Sequence, residues 1–167
     1  MCKETTQAAK AWVVVPGKVK GKARPRVYDG HAITPKDTAL YENWVRQCYM
    51  EQDGDFHERE VAAFVWVYIP IPKSYTKKRR VACMDGREKP AKKPDLDNVA
   101  KIVLDSLNGI AYEDDAQVTT LRIKRVWTDG AERVEFGIRD EFPKEDEDGH
   151  QIRTAEGLQE SLPEMPH

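Results

Sequence analysis

Apolar and polar positions along the chain fall into short blocks with two different periods. Trp12-Val-Val-Val15 is an apolar run closed by Pro16-Gly17, which predicts a strand. Tyr41, Trp44, Val45 and Cys48 recur at helical spacing behind Thr34-Pro35, an N-cap followed by a first-turn proline, and Asp53-Gly54 ends that segment. Val61 to Ile69 is β-branched and aromatic throughout and reads as a buried strand stopped by Pro70 and Pro72. Val99, Ile102, Val103 and Leu107 form one stripe of a second helix from Asn98 to Leu107, with Asp97 as its N-cap and Asn108-Gly109 as its stop. Two alternating strands follow, Gln117 to Trp127 and Glu132 to Arg139. Thr128-Asp129-Gly130 predicts a hairpin turn between them.

The order is therefore β-α-β-α-β-β, an α+β fold with a small mixed sheet covered on one face by two helices. Residues 1–139 read as one domain. Residues 140–167, polar and acidic, read as a flexible C-terminal tail. Residues 73–93 read as a long polar loop with nine Lys/Arg against two Asp/Glu.

Composition narrows the class. With 167 residues, 40% hydrophobic and 34% charged, the chain is long enough for its own core and is polar in character. No apolar run approaches the roughly 20 residues of a membrane span, and the first residues lack the apolar segment of a signal peptide. A cytoplasmic location without membrane association is expected. Cys2, Cys48 and Cys83 are widely spaced and make neither a disulfide framework nor a zinc motif. The net charge of -2 conceals an asymmetry: residues 1–139 hold 25 Lys/Arg and 20 Asp/Glu, and residues 140–167 hold 2 and 9. A basic body suits a polyanionic partner, and the acidic tail would compete for it.

The chemistry-bearing stretch is Lys93-Pro-Asp-Leu-Asp-Asn-Val-Ala-Lys101 together with Tyr112-Glu-Asp-Asp115. Asp95 and Asp97 are two apart, and in extended backbone such residues point the same way. Two carboxylates converging at a helix N-terminus repel unless a cation lies between them. Their hard oxygens suit Mg²⁺ or Mn²⁺. Lys101 lies one helical turn beyond Asp97 and away from the apolar stripe. Asp114 and Asp115 begin the next strand, which the helix would return toward Asp97. Each piece has a plainer reading: caps, turn residues or solvated surface. An EF-hand is excluded because Val99 and Ala100 stand where it needs a ligand and a glycine. His31, His57, His150 and His167 are scattered, without zinc spacing.

Taken together, Asp95-Leu-Asp-Asn-x-x-Lys101 and Leu107-Asn-Gly-Ile-Ala-Tyr-Glu-Asp-Asp-Ala-Gln-Val118 closely resemble the RusA family of Holliday-junction resolvases. A weaker likeness reaches Gly-Lys-Ala-Arg-Pro-Arg26 and Ile33-Thr-Pro35, so the resemblance spans residues 12–139. It implies a metal site at Asp95, Asp97 and Asp115, a catalytic Lys101, supporting roles for Asn98 and Asp114, and a homodimer that needs Mg²⁺ or Mn²⁺. It also implies paired nicks at four-way junctions in DNA recombination and repair. Where some members carry arginines before the first aspartate, this chain has Lys92-Lys93-Pro94, with Arg79-Arg80 further upstream. DNA contacts are expected from Lys18, Lys20, Lys22, Arg24 and Arg26, and from Lys77, Lys78, Arg79 and Arg80.

Three alternatives compete. One is a nuclease for other branched or flap DNA on the same scaffold. Another is a non-catalytic DNA-binding module, which leaves aspartates facing a polyanion. The third is a glycosyltransferase using Asp-x-Asp, which needs a larger nucleotide-binding domain with βαβ alternation.

Overall fold

The computed structural model describes residues 12–141 apart from 25 and 30, and only the backbone of 26–28, 32 and 33. The elements are β1 (Val13–Pro16), β2 (Arg26–Tyr28), β3 (His31–Ile33), α1 (Lys36–Glu51), β4 (Val61–Pro70), α2 (Lys77–Met84), α3 (Leu96–Ser106), β5 (Val118–Thr128) and β6 (Arg133–Asp140). A single 3₁₀ turn, Asp115–Gln117, precedes β5. The main sheet has the order β1-β6-β4-β5, and β2-β3 form a separate hairpin. This is an α+β fold with a small mixed sheet, in which α1 and α3 pack together on the inner face. The acidic tail beyond Glu141, Cys2, His150 and His167 lie outside the described residues. Among the described residues, no helix is long and apolar enough to cross a membrane.

The predicted hairpin between the last two strands does not form. β5 and β6 lie on opposite sides of β4, parallel and antiparallel to it respectively. The composition of β4 explains this. Every residue from Val61 to Ile69 is buried, so the strand is apolar on both faces and belongs in the sheet centre. A β5–β6 hairpin would have left one of its edges open. The Asp129-Gly130 turn instead carries the chain across the end of β4, where the Ile71 amide donates to the Thr128 carbonyl at 2.9 Å. The parallel β4–β5 pair, with α2 and α3 in the crossover, is one βαβ unit that alternation along the sequence did not reveal.

The segment 73–93 is not a structureless loop. It contains α2, whose N-cap Thr76 accepts from the Arg79 amide at 3.4 Å. The helix also rests on side-chain packing outside itself. Arg79 stacks on Tyr75 at 3.6 Å and binds Glu88 bidentately, and Tyr75 meets Trp127 edge-on at 6.0 Å. The first long helix begins one residue later than its sequence cap suggested: Pro35 is its N-cap and no side chain caps it.

The core lies between the inner sheet face and the helices. Tyr112, Phe136, Ile102, Leu107 and a set of valines led by Val45, Val65 and Val103 are fully buried there. Each such side chain contributes about 1.5–3 kcal/mol relative to exposure. Cys48 and Cys83 are buried free thiols. The outer face carries a second cluster, Ala62, Phe64, Trp66 and Tyr68, with Trp12 and Val126 beside it.

Candidate active site

Helix α3 organises the candidate site because its apolar stripe fixes its roll. Val99, Ile102, Val103 and Leu104 face the core, which leaves Asp97 and Lys101 exposed and Asp105 half-buried along another side. These three lie at i, i+4 and i+8, one above the next. The N-cap position is occupied by Asp95, not Asp97, and neither side chain makes a cap hydrogen bond. Extended backbone ends at Asp95, so strand alternation does not make Asp95 and Asp97 converge. Both carboxylates instead sit at the N-terminal end of the helix, where its macrodipole favours negative charge.

The loop before Asp95 is held from β5. Arg125 donates through its guanidinium to the carbonyls of Lys92 and Pro94, and the Lys93–Pro94 peptide is cis. Arg125 occurs in the apolar phase of its strand, opposite the fully buried Val67. A charged residue in that phase was the available sequence signal, and it was missed.

The loop 18–24 closes on the same helix end. The Lys22 amide donates to the Asn98 carbonyl at 2.8 Å. A Cβ at Gly21 would stand 2.9 Å from Asn98 Cβ and 3.0 Å from Pro94 Cβ, so only glycine allows this approach. The Lys22 ammonium turns inward, donating to Glu42 and lying 3.0 Å from Asp105. Burial pulls its pKa down, but the bonds to Glu42 and Asp105 outweigh this and the net shift is upward.

Asp115 opens the 3₁₀ turn. Asp114 caps that turn by accepting from the Ala116 amide at 2.8 Å, and Gln117 closes a capping box back to the Asp114 amide. The chain returns Asp115 to the side of Asp105. Burial, the hydrogen bond with Asp105 and the charges of Asp105 and Asp114 raise the pKa of Asp115 above the usual carboxylate range. Asp105 follows Asp97 by eight residues, about 12 Å along the helix axis. The carboxylates thus form two groups: Asp95 and Asp97 at the start of α3, and Asp105 toward its end with Asp114 and Asp115 of the 3₁₀ turn beside it. Among the described residues, no three Asp, Glu, His or Cys side chains gather closely enough to hold a metal ion. The donors fit Mg²⁺ or Mn²⁺ by oxygen chemistry, not by an assembled geometry. Asp105 and Glu42 were not singled out from the sequence, although the i, i+4, i+8 spacing of Asp97, Lys101 and Asp105 was visible there.

The basic residues divide by environment. Lys18, Arg24, Lys77 and Lys78 are exposed. Lys20 pairs with Asp37 at 3.6 Å. Lys22 and Arg79 are taken up by internal carboxylates. Arg80 donates to the Pro72 carbonyl at 3.4 Å. The Arg26 side chain lies outside what the structure describes.

Comparison with known proteins adds two findings. The chain is 40% identical over 82 residues to the uncharacterized protein YqaN of Bacillus subtilis (strain 168), a match covering 48% of this chain and 57% of that protein. The chain thus spans little more than half the length of that relative. A family model, endodeoxyribonuclease RusA, matches residues 16–139, which include β2 through α3 and both aspartate groups. The chain belongs to the RusA endodeoxyribonuclease family.

Proposed function

We propose that this protein is a metal-dependent endodeoxyribonuclease that resolves four-way DNA junctions by paired nicks, acting as a homodimer in recombination and repair. The observation that carries the reading is the family match over residues 16–139, a span that contains Asp95-Leu-Asp-Asn98, Lys101 and Asp114-Asp115, the residues whose pattern resembles the family's. By the family resemblance, Asp95, Asp97 and Asp115 would have to be drawn together to hold Mg²⁺ or Mn²⁺, with Asn98 and Asp114 in support. A bound divalent ion supplies charge neutralisation at phosphorus and lowers the pKa of a water that attacks it. Lys101, exposed one turn beyond Asp97, would neutralise the phosphate being cut. Lys18, Arg24, Lys77 and Lys78 would hold the sugar–phosphate backbone without reading sequence. A junction has near two-fold symmetry and one protomer supplies one cut, so two symmetric cuts call for a C₂ pair.

The test uses labelled four-way junction, linear duplex and flap, each with and without Mg²⁺ or Mn²⁺, on the native chain and on Asp95→Asn, Asp97→Asn and Asp115→Asn. Junction nicking that requires the ion and falls by orders of magnitude in each variant supports the reading. Melting temperature and metal-free junction affinity, measured on the same variants, should not fall. Near-native nicking by all three would end it, and equal cutting of flap and junction would reassign the substrate.

A further inference from the structure

The outer face of the sheet has a composition that the proposed activity does not use. Cross-strand register places Ala62, Phe64, Trp66 and Tyr68 of β4 beside Thr120, Arg122, Lys124 and Val126 of β5, and beside Arg139, Gly137, Glu135 and Arg133 of β6. Four basic side chains and one acidic side chain thus surround a row of rings. Arg133 lies 3.8 Å from the Tyr68 ring centre, Lys124 5.6 Å from Trp66 and Arg139 5.7 Å from Phe64. Trp12 meets Phe64 and Trp66 from the β1 side. No described helix packs on this face, yet Phe64, Trp66 and Tyr68 keep only 8%, 9% and 8% of their surface exposed.

The chain leaves the sheet at one corner of this face. The Glu141 amide donates to the Glu60 carbonyl at 2.9 Å, and the Glu141 carboxylate accepts from the outward-facing Thr120 hydroxyl at 3.0 Å. Beyond it the sequence runs Glu145-Asp-Glu-Asp148, and residues 142–167 hold seven Asp/Glu against two Lys/Arg.

We propose that the acidic segment after Glu141 docks on this outer face, its carboxylates meeting Arg122, Lys124 and Arg139. Charge sign favours it. Arg133 is paired with Glu135 at 2.6 Å, whereas Arg122 and Lys124 are exposed. Tethering favours it as well, because a short linker raises the effective concentration of a weak partner to the millimolar range. A nucleic acid strand also matches basic and aromatic surface, but stacking needs open rings, and these are covered. A second copy would bring the same basic face against itself.

Zero-length carbodiimide coupling of the full chain, followed by peptide mass spectrometry, tests this directly. It joins an ammonium to a carboxylate only where the two touch. The expected product links Lys124 to a carboxylate within 145–148 of the same chain, and rising salt suppresses it. Deletion of 142–167, or the neutral variant E145Q/D146N/E147Q/D148N, should increase the labelling rate of Lys124 by an amine reagent several-fold, while circular dichroism stays unchanged. Exclusive coupling of the tail to Lys18, Lys77 or Lys78 would overturn the proposal. So would links found only between isotopically distinct chains, which would give the face to a second copy. Protection of Lys124 by an oligothymidylate with the tail in place would give it to nucleic acid.

Discussion

The Lys22 ammonium lies 3.0 Å from the Asp105 carboxylate and also donates to Glu42, so one basic residue of the 18–24 loop ties α1 to α3. Removing it leaves two half-buried carboxylates facing each other, with Asp115 close behind. Lys22→Met should destabilise the fold by about 1–2 kcal/mol, between the worth of an exposed ion pair and that of a buried charge left unpaired. Lys22→Arg should recover part of the loss. Urea unfolding of the three proteins measures this, and equal midpoints would show that the bridge contributes nothing.

Asp115 gives a pH-dependent signature in the metal-free protein. Its pKa is raised in the fold by burial, by Asp105 and by Asp114. A raised carboxyl binds its proton more tightly folded than unfolded. Its favourable contribution is therefore full below the usual carboxylate pKa and is lost as pH rises through the raised value. Asp115→Asn should melt higher than the native chain at neutral pH, and the gap should close in acid. Melting curves across that range, recorded with chelator, would refute the account if the gap were constant.

Buried tyrosines give the opposite limit of the pH range. Burial, reinforced by the charges of Asp55 and Asp140, pushes Tyr49 up to about 12, and its hydroxyl donates to the Asp55 carbonyl at 2.6 Å. Tyr41 and Tyr112 are raised by burial as well. A folded pKa above the unfolded value of roughly 10 gives stability that is full below pH 10 and lost above it. Tyrosinate absorbance should therefore rise late and together with loss of near-ultraviolet circular dichroism. Tyr49→Phe should shift that transition to higher pH at some cost in neutral stability.

Much of this was legible from local pattern. Val99, Ile102 and Val103 fixed both the existence of α3 and the side on which Lys101 is exposed. What was missed depended on partners distant in sequence. The Thr128-Asp129-Gly130 turn looks like a hairpin, and only the demand of β4 for two neighbours redirects it. Helix α2 has little apolar periodicity and relies on Arg79 meeting Glu88 and Tyr75. The bond between Asp115 and Asp105 had no local signal, because it joins the end of α3 to the turn before β5. The inward turn of Lys22 had no local signal, since its five-residue basic setting is the same whether a side chain faces DNA or Glu42.

Arg125 should matter to cleavage without touching DNA. Its two hydrogen bonds to the carbonyls of Lys92 and Pro94 set the backbone that leads into Asp95. Arg125→Met removes both donors and leaves those carbonyls unsatisfied. It should cost about 1–3 kcal/mol of stability and reduce nicking more than junction affinity. Arg125→Lys keeps the charge but not the planar fork, so it should restore stability better than rate. Affinity falling in step with the rate would make Arg125 a DNA contact instead.

The basic residues of α2 allow a sharper test, because the structure separates them by occupation. Lys77 and Lys78 are exposed, whereas Arg79 is bound to Glu88 and stacked on Tyr75. A lysine that neutralises a backbone phosphate releases a counterion, so its removal flattens the salt dependence of binding by about 0.9 per contact. Lys77→Ala/Lys78→Ala should therefore weaken junction binding at low salt and lower the slope by roughly 2, without changing the melting temperature. Arg79→Ala should do the reverse: it loses the Glu88 pair and the Tyr75 stack, so α2 loosens and melting falls while the slope holds. Junction affinity measured over a salt series, alongside melting of the same proteins, distinguishes the two. A flattened slope in Arg79→Ala with unchanged melting would mean that Arg79 leaves Glu88 for phosphate when DNA binds.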